Sequence, residues 1–108
     1  MNYYDDVIKH TKKMIYRWHG FPARLFELRR SHCSLRIVVF GEEFGKNLQI
    51  SCIGPVFISS PVVWKNSNLH IQTTMYEDET MFLVLDELNL VRIITGAVEV
   101  KENIKNRW

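Results

Sequence analysis

The stretch LHIQTTMYEDETMFLVLD, residues 69–86, decides the fold. Its first part alternates in side-chain character, with His70, Gln72 and Thr74 between Leu69, Ile71, Thr73 and Met75. A period of two predicts a strand with one buried face. In segment 81–86, residues 81–85 are apolar at successive positions, which predicts a central strand covered on both faces. The connection at 77–80 is too short for a parallel crossover, so the two strands must be antiparallel neighbours.

The same short-period pattern extends outward in both directions from this hairpin. We predict further strands at 24–30, 35–40, 48–53, 56–59 and 91–100. Their connections are also short, which predicts a seven-stranded, mostly antiparallel meander, either a curled sheet or a sandwich. Pro55 and Pro61 bracket segment 56–59, which favours a short edge or corner strand.

A helix is predicted before the sheet, at residues 5–18. Asp5 or Asp6 can cap it, and Gly20 and Pro22 end it. An apolar stripe at helical spacing is formed by Val7, Ile8, Thr11, Met14, Ile15 and Trp18. Such a stripe predicts a helix that covers one face of the sheet. The fold class is therefore α+β, with one domain over residues 1–108: the helix, a sheet at 24–100 and a polar tail at 101–108.

The cellular compartment is predicted from the absence of a signal-peptide pattern and from the two cysteines. The first residues lack the basic and then apolar layout of a signal peptide, and the apolar runs are too short to span a bilayer. We therefore expect a cytoplasmic protein with no membrane contact. Cys33 and Cys52 are expected to be free thiols, Cys52 as a small core residue.

Charge is unevenly distributed along the chain. Residues 1–36 carry eight Lys/Arg against three Asp/Glu, residues 37–100 carry three against eight, and residues 101–108 carry three against one. A basic N-terminal third thus precedes an acidic middle. The basic third leaves one alternative open, a nucleic-acid-binding module that contacts phosphates through Lys9, Lys12, Lys13, Arg17, Arg24, Arg29, Arg30 and Arg36.

Catalytic and metal-binding signatures are missing from the sequence. His32 and Cys33 are adjacent, but neither a C-x-x-C nor an H-x-x-x-H spacing occurs, so we predict no metal, no cofactor and no catalytic residues. His10 and His70 are the best pair for general acid–base chemistry. They leave a second alternative open, a small nuclease-like enzyme.

The acidic residues gather at the predicted hairpin turns. In a strict meander, successive turns alternate between the two ends of the sheet. Counting turns predicts one rim that combines Glu42, Glu43, Asp86 and Glu87 with a half-exposed Trp64, and it puts Glu77, Asp78 and Glu79 at the other end. An acidic rim with an aromatic side chain would steer and anchor a basic protein partner.

The order of elements also carries a family resemblance. A short helix, the segment Trp18-His19-Gly20-Phe21-Pro22 and a meander with acidic turns resemble small bacterial immunity proteins of contact-dependent growth inhibition and related polymorphic toxin systems. The resemblance implies a cytosolic protein that binds one cognate toxin, often a basic nuclease, and blocks it. With the acidic rim, it predicts a non-enzymatic inhibitor that binds a bacterial toxin by charge complementarity. The oligomeric state is left open.

Overall fold

The computed structural model describes residues 2–29, 34–41 and 45–105, with the side chains at 27–29 and 103–105 outside the description. Its elements are the helix α1 (Tyr3–Tyr16) and the strands β1 (Ala23–Arg29), β2 (Ser34–Gly41), β3 (Lys46–Ser59), β4 (Val63–Trp64), β5 (His70–Tyr76), β6 (Glu79–Asp86) and β7 (Val91–Lys105). The protein has the predicted α+β class. In the described part, no helix has the length and apolar character needed to cross a membrane.

The seven strands form one sheet in the order β4-β1-β2-β3-β7-β6-β5. All of its pairs are antiparallel. Two three-stranded meanders, β1-β2-β3 and β5-β6-β7, are joined side by side along the two longest strands. Between them the chain runs from β3 to the outer edge of β1, where it forms β4, and then to the opposite edge of the sheet as β5.

This order corrects the predicted sequential meander. Segments 48–53 and 56–59 are one strand, β3, because Gly54 takes a left-handed conformation (φ 70°) and a register shift at Pro55/Phe57 lets pairing with β7 continue. Trp64, predicted to lie at a turn, is part of β4 instead, in which Val63 and Trp64 pair with Arg24 and Ala23. β7 runs to Lys105, five residues into the segment predicted as a tail.

The main core lies between α1 and one face of the sheet. Ile15 and Trp18 pack there against a cluster that includes Ile37, Leu48, Ile50, Cys52, Phe82, Val84 and Ile93, all fully buried. Cys52 is a free core thiol, as predicted, and burial raises its pKa to about 12. Met81, Leu83 and Ile94 form a smaller cluster. Since Phe82 and Val84 belong to the main core, β6 is buried on both faces, as predicted.

The helix begins two residues earlier than predicted, because Asn2 rather than Asp5 or Asp6 is its N-cap. The Asn2 side chain accepts a hydrogen bond from the Asp5 backbone N–H at 2.9 Å. The helix end is held against two strands by Trp18. Its ring packs over Gly41, and its Nε1 donates to Glu102 Oε2 at 3.1 Å.

The curled sheet is tied together where the chain leaves the helix. The Gly20 N–H donates to the Ser67 carbonyl at 2.7 Å, and the Ser67 N–H donates to the Phe21 carbonyl at 2.9 Å. Segment 65–69 joins β4 at one edge of the sheet to β5 at the other. These bonds fix α1 beside the start of β5, which creates a groove between the helix and the strand.

Candidate functional site

The described strand ends that flank the predicted acidic rim lie at opposite ends of the sheet. Glu42 and Glu43 lie outside the described residues. The strand that follows them is described: Lys46, the first residue of β3, pairs with Lys105 at the end of β7. Asp86 pairs with Val91, at the beginning of β7. The prediction was wrong because it counted Gly54-Pro55 as a turn. With β3 continuous, one turn is lost and every later connection changes ends.

Two members of the predicted rim are also buried. Trp64 is 5% exposed rather than half-exposed, because it packs in the main core. Asp86 is fully buried. Its carboxylate accepts bonds from the Asn68 N–H at 2.7 Å and from the Asn89 N–H and Nδ2 at 3.2 and 2.9 Å. Asp86 therefore holds two connections in place and presents no charge to a partner.

The remaining acidic residues are exposed but separated. Glu87 begins a 3₁₀ turn (Glu87–Asn89) between β6 and β7. Glu77, Asp78 and Glu79 lie at the other end of β6 from Glu87, which is the end of the sheet where β3 begins. Glu77 and Asp78 form the two-residue β5–β6 loop with φ of 47° and 64°. They are solvent-exposed hairpin charges.

A different surface stands out in the second half of β3. Ser34, the first residue of β2, pairs with Ile53. Beyond that point, residues 54–59 pair only with β7 among the described strands. We call them the β3 extension. Val56, Phe57 and Ile58 in it are 44%, 41% and 40% exposed. In the described part of the chain, the β3 extension thus has a paired strand on one side only, and an apolar strand edge of this kind is a template for the addition of another strand.

Further exposed apolar side chains lie near the end of the β3 extension. Ser59 pairs with Arg92, so the β6–β7 connection is beside it. In that connection Leu88 and Leu90 are 77% and 81% exposed. Leu90 also has φ 58°, a left-handed conformation that disfavours a leucine. A surface patch of large apolar residues on a strained connection is typical of an interaction site.

The second candidate site is a groove between α1 and β5, which we call the histidine groove. It has a volume of about 300 Å³ and is lined by Ile8, Thr11, Lys12, Ile15, Tyr16, His19, Leu69, His70 and Ile71. The rings of His19 and His70 meet edge to face, with centroids 5.0 Å apart. The Tyr16 ring also contacts His19, with ring centroids 5.1 Å apart.

His19 is anchored by a backbone bond. Its Nε2 lies 2.7 Å from the Leu69 carbonyl oxygen, which can only accept, so Nε2 carries a proton. Nδ1 then accepts a bond in the neutral ring or donates one in the charged ring. In the part of the chain described, no group of three or more His, Cys, Asp or Glu side chains is placed to hold a metal ion. The chemistry available here is hydrogen bonding and positive charge.

The histidine groove also revises the predicted catalytic pair. The ring in contact with His70 is that of His19, while His10 lies on the exposed side of α1. Sequence reasoning treated His19 only as part of the segment that ends the helix. A histidine directly before that terminating glycine is the signal that was available, but its partner lies 51 residues away.

Comparisons with protein-family models, with curated proteins and with solved structures gave no match for this chain.

Proposed function

We propose that this protein is a non-enzymatic binding protein that docks another protein along the β3 extension, and that its partner is a bacterial toxin which it neutralises. The observation that carries the proposal is the exposed apolar edge at residues 54–59. The toxin as partner follows from the resemblance to immunity proteins of contact-dependent growth inhibition.

The mode of binding follows from the backbone. Along one side of the β3 extension, N–H and C=O groups point away from β7, and a partner strand would supply their hydrogen bonds. The side chains of Val56, Phe57 and Ile58 give such a strand apolar surface to bury. Leu88 and Leu90 enlarge the contact beyond the strand itself.

The β5 edge of the sheet differs in character. β5 is also an edge strand, but its exposed side chains include His70, Gln72 and Thr73, with Met75 as its large exposed apolar residue. Polar and short side chains offer an incoming strand little apolar burial. Of these two edges, the β3 extension is therefore the favoured one for strand addition.

Charge complementarity has a smaller part than the sequence predicted. Glu87 is exposed directly before Leu88, at the border of the proposed docking surface. A basic partner would meet this carboxylate as it approaches. We expect Glu87→Lys to lower the association rate at low salt and to change the dissociation rate little.

The test uses three forms of the tagged protein in its own host cells: wild type, Val56→Lys and Met75→Lys. A lysine on an exposed strand edge opposes strand addition. Met75→Lys is the matched control, because it puts the same charge at an exposed apolar position on the edge strand β5. We expect wild type and Met75→Lys to retain the same protein, and Val56→Lys to retain roughly tenfold less or none.

The toxin part of the proposal is tested separately. The captured protein, expressed alone, should arrest growth, and wild type and Met75→Lys should restore it while Val56→Lys does not. Equal capture by all three forms would remove the β3 extension as the docking site. Variant-sensitive capture of a protein that does not impair growth would retain the docking site and remove the toxin.

A further inference from the structure

The histidine groove has the composition of a ligand site. Ile8, Ile15, Leu69 and Ile71 supply apolar surface, and Lys12, Tyr16, His19 and His70 supply polar groups. Pockets for small molecules have this mixture, mostly apolar with a few polar groups that fix orientation, and begin at about 300 Å³. The groove is thus large enough for one small organic ligand.

The charge of the groove selects the sign of that ligand. Its lining contains a lysine and two histidines and, among the described residues, no carboxylate. A shallower depression lined by Lys12, Lys13, Tyr16 and Arg17 adjoins it, since the two share Lys12 and Tyr16. Arg17 is paired with Glu102, while Lys12 and Lys13 supply the lysine charges in the lining of the two depressions.

The two histidine rings are held in place before any ligand arrives. His19 is fixed by its bond to the Leu69 carbonyl, and the His70 and Tyr16 rings pack against it. The Thr11 hydroxyl donates to the Val7 carbonyl at 2.9 Å, so it is satisfied within α1. Preorganised donors lose little conformational entropy when they bind.

We propose that the histidine groove binds a small organic anion, with its apolar body against the isoleucine and leucine side chains and its acidic group at Lys12, His19 and His70. The ligand class is a free amphipathic carboxylate, sulfonate or phosphate. This site is separate from the β3 extension and does not depend on the function proposed above.

The experiment compares two probes that differ by one sulfonate group. They are 8-anilinonaphthalene-1-sulfonate, which is anionic, and N-phenyl-1-naphthylamine, which is neutral. Binding of both is followed by fluorescence titration with wild type, Lys12→Gln/His70→Gln and the matched control Lys9→Gln/His10→Gln. The control removes the same residue types from α1 positions outside the groove lining.

We expect wild type and control to bind the anionic probe with the same affinity, and Lys12→Gln/His70→Gln to bind it roughly tenfold more weakly. The neutral probe should bind more weakly than the anion to wild type and be insensitive to the variants. Ile8→Trp, which fills the groove, should reduce binding of the anion.

Three results would overturn the proposal. They are unchanged affinity of Lys12→Gln/His70→Gln for the anion, equal affinity of wild type for the two probes, and no binding of the anion by wild type. If a single-stranded oligonucleotide displaces the probe when its total phosphate concentration equals the probe concentration, the groove would be assigned to nucleic acid instead.

Discussion

The two halves of β3 have similar apolar content and opposite surroundings. In the first half, β2 lies on one side and β7 on the other, and Leu48, Ile50 and Cys52 are fully buried. In the β3 extension, Val56, Phe57 and Ile58 are each two-fifths exposed or more, and β7 is the described neighbour. Apolar sequence alone therefore does not distinguish a core strand from a docking edge. The surroundings do: the first half has a second neighbouring strand and contributes to the main core.

The largest expected contrast comes from the same substitution in each half. Ile50→Ala removes a fully buried side chain that packs in the main core, and should cost about 2–5 kcal/mol of unfolding free energy. Ile58→Ala removes a side chain that is 40% exposed, and should cost about 1 kcal/mol. Urea denaturation of the two variants measures both values. Equal losses would mean that the β3 extension is as well packed as the first half.

A second contrast compares two glycines. A Cβ at Gly41 would lie 2.7 Å from the Trp18 ring and 3.0 Å from the Lys46 carbonyl, so Gly41→Ala should cost about 1–3 kcal/mol. At Gly96, opposite Gly54 on β7, the nearest atom would be 3.7 Å away, which is ordinary contact. Gly96→Ala serves as the control and should change the thermal midpoint little. A larger loss at Gly96 than at Gly41 would contradict this packing.

The smallest expected effect concerns the contact of Glu102 with Arg17 and Trp18. Burial by itself raises the pKa of Glu102, but bonds from Arg17 and Trp18 and the Arg17 charge outweigh it and hold the pKa below its usual value. A lowered folded-state pKa stabilises the fold above the unfolded-state value, about 4.3, and this contribution is lost as pH falls through the folded-state pKa.

Glu102→Gln should therefore be less stable than wild type at pH 7, by less than about 1 kcal/mol because Arg17 is 55% exposed. The difference should shrink as pH falls below about 4.3 and vanish below the folded-state pKa of Glu102, as the carboxylate of wild type is protonated. Denaturation series at pH 3 and pH 7 measure it. A difference as large at pH 3 as at pH 7 would show that the effect does not come from the charge.

Local sequence patterns predicted most of the elements but not their order. Alternation identified the strands around Ile50 and Ile71, and the apolar stripe identified α1. Gly54-Pro55 was misread because these residues usually mark a turn, whereas pairing with β7, about forty residues later, carries the strand through them. Trp64 was misplaced for the same reason, since its burial depends on pairing with Ala23.

The candidate sites depended even more on long-range pairing. The β3 extension exists only because β2 begins opposite Ile53 while β3 continues to Ser59. The histidine groove requires His19 and His70 to meet, and that contact follows from segment 65–69 crossing between the sheet edges. Neither the pairing of β2 with β3 nor the contact between His19 and His70 can be read from a side-chain period of two or 3.6 residues.

The most direct test of the open β3 edge is amide hydrogen exchange of the free protein, resolved along β3. We predict slow exchange for residues 47–53, and rapid exchange for about half of the amides in residues 56–59, those that point away from β7. Uniform protection from residue 47 to residue 59 would contradict the account, because it would mean that the β3 extension is already covered.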